Sequence, residues 1–122
     1  MTPVVSTAWA ASKVLLTTPG LFLGLSVRIA TPGAYYLIVL DSATVPADST
    51  DVTGASYKQI TIDPVTTTGA DELISYTFTE PGYPSTSGVQ LSVGAIVLLS
   101  SGAPTSIAGV ASGLWVSLAE IG

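Results

Sequence analysis

The pattern that most restricts this chain is a period of two, repeated in short runs that proline or glycine cuts off each time. In Leu25-Ser26-Val27-Arg28-Ile29-Ala30, the residues Leu25, Val27 and Ile29 share one face while Ser26 and Arg28 take the other. Strict alternation of this kind marks a half-buried β-strand. Thr31-Pro32-Gly33 ends the run with turn chemistry. Ala34 to Leu40 follows, apolar on both faces. That predicts a central strand, or one whose outer face is covered by a partner. Asp41 to Ala55 reads as a loop. Strand signals return at Tyr57–Ile62 and at Leu73–Thr79, where Ile74, Tyr76 and Phe78 oppose Ser75, Thr77 and Thr79. Gly88 to Leu99 begins with alternation and ends two-sided, and Gly94 inside it predicts a bulge or bend. In Gly113–Leu118, the residues Leu114, Val116 and Leu118 are expected on one face and Trp115 and Ser117 on the other.

These segments predict an all-β chain, a single antiparallel β-sandwich of seven to eight strands with jelly-roll or Ig-like topology. Residues 1–12 carry no alternation and read as a short N-terminal arm, leaving 13–122 as the sandwich domain. A helix capped by Ser6 and running from Trp9 to Leu16 is the competing reading of the arm. Trp9 is expected either to anchor the arm in a neighbour or to cover its own core.

Composition narrows the function. Only 9% of the residues are charged against 48% hydrophobic, where a soluble domain carries about 25% charged. Lys13, Arg28 and Lys58 are the three basic residues. A short chain with so few charges is expected to cover part of its surface with other protein, as a component of an assembly. Cysteine and histidine are absent. No disulfide framework or cysteine-based zinc site can form, and the commonest general base and metal ligand is missing. The net charge of −5 opposes phosphate backbones, so no nucleic-acid partner is expected. Ala34–Leu40, the longest uninterrupted apolar run, falls far short of the roughly 20 residues of a spanning helix, so no membrane partner is expected either. The apolar stretches near Lys13 are broken by Thr17-Thr18-Pro19-Gly20 and lack a preceding basic region, which opposes a signal peptide.

The order of blocks carries a resemblance. Gly24-Leu25-Ser26-Val27-Arg28-Ile29-Ala30 is followed, after a turn, by Tyr36-Leu37-Ile38-Val39-Leu40-Asp41-Ser42-Ala43-Thr44-Val45-Pro46-Ala47-Asp48. Ser85-Thr86-Ser87-Gly88-Val89 then leads into Ala95-Ile96-Val97-Leu98-Leu99-Ser100-Ser101. Over residues 20–54 and 85–118 this resembles the small β-sandwich virion proteins of tailed bacteriophages, the decoration or cement proteins of the capsid and the β domains of fibres. The resemblance implies a homotrimer, assembled in the host cytoplasm and placed on the capsid surface, whose partner is the shell of major capsid protein. It supplies no catalytic residues.

Candidate chemistry is sparse. Asp41, Asp48 and Asp51 could gather oxygens around calcium, but they lack the one-three-five spacing of a calcium loop, and turn residues capping local amides are favoured. Asp71-Glu72 and Glu80 could be paired carboxylates for glycoside hydrolysis, but a loop or charged strand edge is the favoured explanation. Tyr35, Tyr36, Tyr57, Tyr76, Tyr83 and Trp115 could line a sugar-binding face; core or subunit interface is the commoner use of such residues. The expected interface residues are Trp9, Tyr35, Tyr36 and Trp115. The reading is therefore a non-enzymatic structural virion protein without cofactor, stabilising the shell through apolar contacts. The alternative is a fibre or carbohydrate- and receptor-binding module.

Overall fold

The computed structural model describes residues 2–47, 49–77, 88–101 and 113–121. Among them there is no helix and there are nine strands: β1 (Thr2–Val4), β2 (Ser12–Leu16), β3 (Gly20–Ile29), β4 (Gly33–Leu40), β5 (Gln59–Thr67), β6 (Glu72–Thr77), β7 (Val89–Leu91), β8 (Ala95–Ser100) and β9 (Leu114–Ile121). The chain is all-β, and two antiparallel sheets pack face to face as a sandwich. One has the order β1-β9-β3-β6, with β7 also on β3; the other has the order β2-β8-β4-β5.

The pairing is nested. β1 pairs β9, β2 pairs β8, β3 pairs both β7 and β6, and β4 pairs β5. That is one long antiparallel ribbon. Rolling it up adds the contacts β3–β9 and β4–β8. The β7 strand lies against Gly20–Phe22 and β6 against Gly24–Ile29, so the two continue one another along one edge of β3. A rolled ribbon of this connectivity is the jelly roll, which decides between the two topologies expected.

Two differences raise the strand number above seven to eight. Gly88–Leu99 is not one strand: β7 belongs to the first sheet and β8 to the second, and the chain crosses between them at Ser92–Gly94. Of residues 1–12, expected as an arm, Thr2–Val4, Ser6 and Ala10 pair along β9 instead. Thr2–Val4 pair with Ala119–Ile121, the Ser6 amide donates to the Val116 carbonyl (2.8 Å), and Ala10 and Leu114 exchange backbone bonds (3.1 and 2.8 Å). The buried Ser6 hydroxyl caps no helix; it accepts from the Val116 amide at 2.9 Å. The physical reason is that β9 would otherwise present a row of unpaired backbone groups at the sheet edge. The strand prolines Pro3 and Pro64 both lie on edge strands, where the missing N–H breaks no ladder.

The core between the sheets takes Leu25, Val27 and Ile29 from β3, as the alternation predicts, with Leu37 and Val39 from β4 and Val97 and Leu99 from β8. The opposite faces of β4 and β8 are equally apolar. Ile38, Leu40, Ile96 and Leu98 form a second cluster on the outside of the second sheet, closed by Val52 at 0% exposure and flanked by Tyr36, Tyr57 and Ile62. Thus the chain's own β4–β5 connection covers the two-sided strands. It is held there by the Gln59 side-chain amide, which donates to the Val52 carbonyl, and by the Asp41 amide, which donates to the Lys58 carbonyl at 2.9 Å. Burying a valine this completely contributes about 1.5–3 kcal/mol.

The β9 strand departs from simple alternation. Val116 pairs with Val27, but Leu118 pairs with Ser26, so a bulge falls at Ser117. The extra residue turns Leu118 to the outer face and returns Ala119 to the core, where Leu118 was expected.

Candidate functional site

Two of the three candidate metal-binding aspartates, Asp41 and Asp51, are engaged separately. The Asp41 carboxylate is buried, and its oxygens accept from the amides of Ser92 (2.8 Å), Val93 (2.8 Å) and Gly94 (3.1 Å). Lys58 Nζ lies 3.6 Å from Asp41 Oδ2. Burial pushes the Asp41 carboxyl up, but the three amides and the Lys58 charge outweigh it and hold the carboxyl below the ordinary aspartate range. Asp41 therefore ties the end of β4 to the crossing between the sheets. Asp51 is exposed. It accepts from the Thr53 hydroxyl (2.7 Å) and amide (2.9 Å), which lower its carboxyl pKa, in an ordinary side-chain-closed turn. Asp48 lies outside the described residues.

Of the carboxylates considered for hydrolysis, Asp71 lies in the turn before β6 and Glu72 opens that strand. Glu72 accepts from the amides of Thr68 (2.9 Å) and Gly69 (3.4 Å). Asp71 sits in the left-handed region at φ 57, and its carbonyl accepts from Arg28 at 3.1 Å. Its carboxylate is 3.9 Å from the same guanidinium, an exposed contact worth little in water. Glu80 lies outside the described residues.

The expected aromatic interface divides. Tyr35 packs on the inner core, and its hydroxyl donates to the Thr31 carbonyl at 2.8 Å. Tyr36 packs with the outer cluster beneath the β4–β5 connection, next to Tyr57. Both are engaged by their own chain. Tyr83 lies outside the described residues. Trp9 and Trp115 come together: their ring centroids are 5.6 Å apart with the planes tilted by 55°, within the range of favourable aromatic pairs. Leu114 and Val116 enter the core, so Trp115 between them lies on the outer face of the first sheet. The backbone bonds of Ala10 to Leu114 hold Trp9 beside it, and Trp9 remains 36% exposed.

This outer face is the candidate contact surface. Arg28 is the cross-strand partner of Trp115 and of Leu73, which is 49% exposed. Two positions along β3, the hydroxyls of Ser26 and Ser75 meet at 3.0 Å. Beyond them a shallow depression of about 140 Å³ opens, lined by Leu23, Gly24, Leu25, Ser26, Ser75, Leu118 and Glu120. Sequence reasoning missed Leu118 and Glu120 as surface-site residues because the β9 bulge shifts the period. The one available signal was the outward position of Ser26. No protein-family model, curated protein or solved structure matches this chain.

Proposed function

We propose that the chain is a non-catalytic structural protein of a tailed-bacteriophage virion, of the decoration or cement kind that its sequence blocks resemble. In this reading it attaches to the capsid shell through the outer face of the β1-β9-β3-β6 sheet, as a trimer. The supporting observation is an asymmetry between the two sides of the sandwich. The centre of the second sheet is roofed by its own chain at Val52 and Tyr57, leaving Val14 exposed on the edge strand β2, whereas the first sheet leaves Trp9 and Leu73 exposed and Trp115 and Leu118 half-buried. Tryptophan at such a face is the residue type most enriched among energetically dominant contacts. The jelly roll adds an analogy, since viral capsid domains and lectin domains both use it. The trimer rests on the resemblance alone, because the apolar surplus of β4 and β8 is already buried within one chain.

Co-sedimentation with empty capsids tests the reading. The wild-type chain is expected to pellet with the shells, and the variant carrying Trp9→Ala and Trp115→Ala is expected to stay in the supernatant with its β-sheet circular dichroism intact. Pelleting of the folded double variant at the wild-type level contradicts it.

A second reading, a carbohydrate-binding module of a fibre, is favoured by the depression with mixed polar and apolar walls on the face that also carries Trp115, across from Arg28.

A further inference from the structure

We propose that the depression between β3, β6 and β9 is a subsite for one ring of a neutral sugar, with Trp115 as the stacking surface for a neighbouring ring. The proposal rests on the second reading, in which the outer face of the first sheet meets a carbohydrate and not the capsid shell, and it names the ligand chemistry of that face.

The depression is built by backbone irregularity. Between β3 and β9 the register slips twice, at Leu23 and at Ser117, on either side of Gly24–Ser26. Gly24 contributes no side chain at the centre, so the flanking Leu23 and Leu118 stand as aliphatic walls. The polar groups come from three strands: Ser26 on β3, Ser75 on β6 and Glu120 on β9. Each serine hydroxyl offers one donor and two acceptor positions, so their mutual 3.0 Å bond leaves capacity for a ligand. The Glu120 carboxyl oxygens can accept from two adjacent hydroxyls.

Hydroxyls around the rim with apolar C–H faces above and below is the pattern of a pyranose, and this lining complements it. A phosphate or sialate would meet the Glu120 carboxylate on a chain of net charge −5. A purely apolar ligand would leave the serines and Glu120 desolvated without partners. Trp115 lies across from Arg28, two residues from Ser26 along β3, which is about 7 Å along the strand. That is a pyranose unit away, so a disaccharide reaches both. The cavity is smaller than the 300–1,000 Å³ of pockets for drug-sized ligands, which fits a single ring held weakly, with useful avidity arising only from several linked copies.

The test has two arms. The wild-type chain is applied to an array of neutral and sialylated glycans. Lactose, maltose, cellobiose and diacetylchitobiose are titrated against it by tryptophan fluorescence. Saturable binding of at least one neutral saccharide is expected, no tighter for its sialylated form. Glu120→Gln and Ser75→Ala, both at the surface, should weaken it by about tenfold each while the melting temperature holds, as befits loss of a hydrogen bond to a ligand. Trp115→Ala should weaken the disaccharide more than the corresponding methyl monosaccharide. The proposal is overturned if no neutral saccharide binds, or if the folded Glu120→Gln variant binds like the wild type. Capsid co-sedimentation separates the two claims. Wild-type chain that pellets with shells but binds no sugar refutes the subsite and leaves the attachment reading standing.

Discussion

Asp41 Oδ1 accepts the backbone amide of Gly94 at 3.1 Å, across 53 residues of chain. The bond joins the end of β4 to the point where the chain passes from the first sheet to the second. With the Ser92 and Val93 amides it makes one carboxylate the fastener of the crossing.

Replacing that carboxylate is therefore costly. Asp41→Asn keeps one acceptor oxygen but loses the charge and the Lys58 contact, and should destabilise the fold by about 2–3 kcal/mol. Asp41→Ala strands three donors and should cost more. Urea unfolding measures both. The pH dependence follows from the downward shift of this carboxyl on folding. Its contribution is complete above the unfolded-state value of about 3.9 and is lost as the pH falls through the lower folded value. The chain contains no histidine. Stability should thus stay level from pH 7 to pH 5 and decline only below about pH 4, with a shallower acid decline in Asp41→Asn.

Gly94 is required for space. A Cβ there would lie 2.3 Å from the Leu16 carbonyl oxygen and 3.0 Å from that of Ser42, both backbone atoms with little room to retreat. Gly94→Ala should destabilise by about 3 kcal/mol, at the upper end of overpacking costs. Gly54 has nothing within 4 Å of the same point, so Gly54→Ala should stay within about 0.5 kcal/mol of wild type. Equal effects in thermal unfolding would contradict this account of the crossing.

The N-terminal segment belongs to the sheet. Ser6→Ala removes the acceptor of the buried Val116 amide and should cost about 1–2 kcal/mol. Deleting residues 2–11 exposes the edge of β9 as well and should lower the melting temperature by many degrees. An unchanged melting temperature would restore the free arm that the sequence suggested.

Much of the sandwich was legible because its core strands keep strict period. Leu25, Val27 and Ile29 face inward as their spacing says, and Gly94 marks a real bend. What failed to show were the irregular places. Thr2–Val4 is too short to alternate, and only its partner β9 makes it a strand. The bulge at Ser117 reverses Leu118, and no local residue announces it, since it shows only in the pairing of β9 with Ser26 and Val27 of β3. The two faces of Ile38 and Leu98 were read correctly as buried. What covers them, Val52, sits in a loop whose docking depends on Gln59 and Lys58 at its far end. Asp41 looked like a turn carboxylate, and its amide partners half the chain away carry no sequence signature.

The covering role of Val52 gives a direct test. Val52→Asp places a charge against Ile38, Leu40 and Leu98 and should lift the β4–β5 connection. Dye binding to exposed apolar surface and concentration-dependent association by light scattering are both expected to rise. A variant that remains as soluble and dye-silent as wild type would show that the connection does not seal this face.

The central claim is that the chain meets its partner through the outer face of the β1-β9-β3-β6 sheet. Hydroxyl-radical footprinting of the chain free and bound to capsids measures this most directly. Protection is predicted at Trp9, Trp115 and Leu73, while Val45 and Val93, exposed elsewhere on the sandwich, label equally in both states. Protection of Val45 and Val93 with unchanged labelling of the two tryptophans would contradict it.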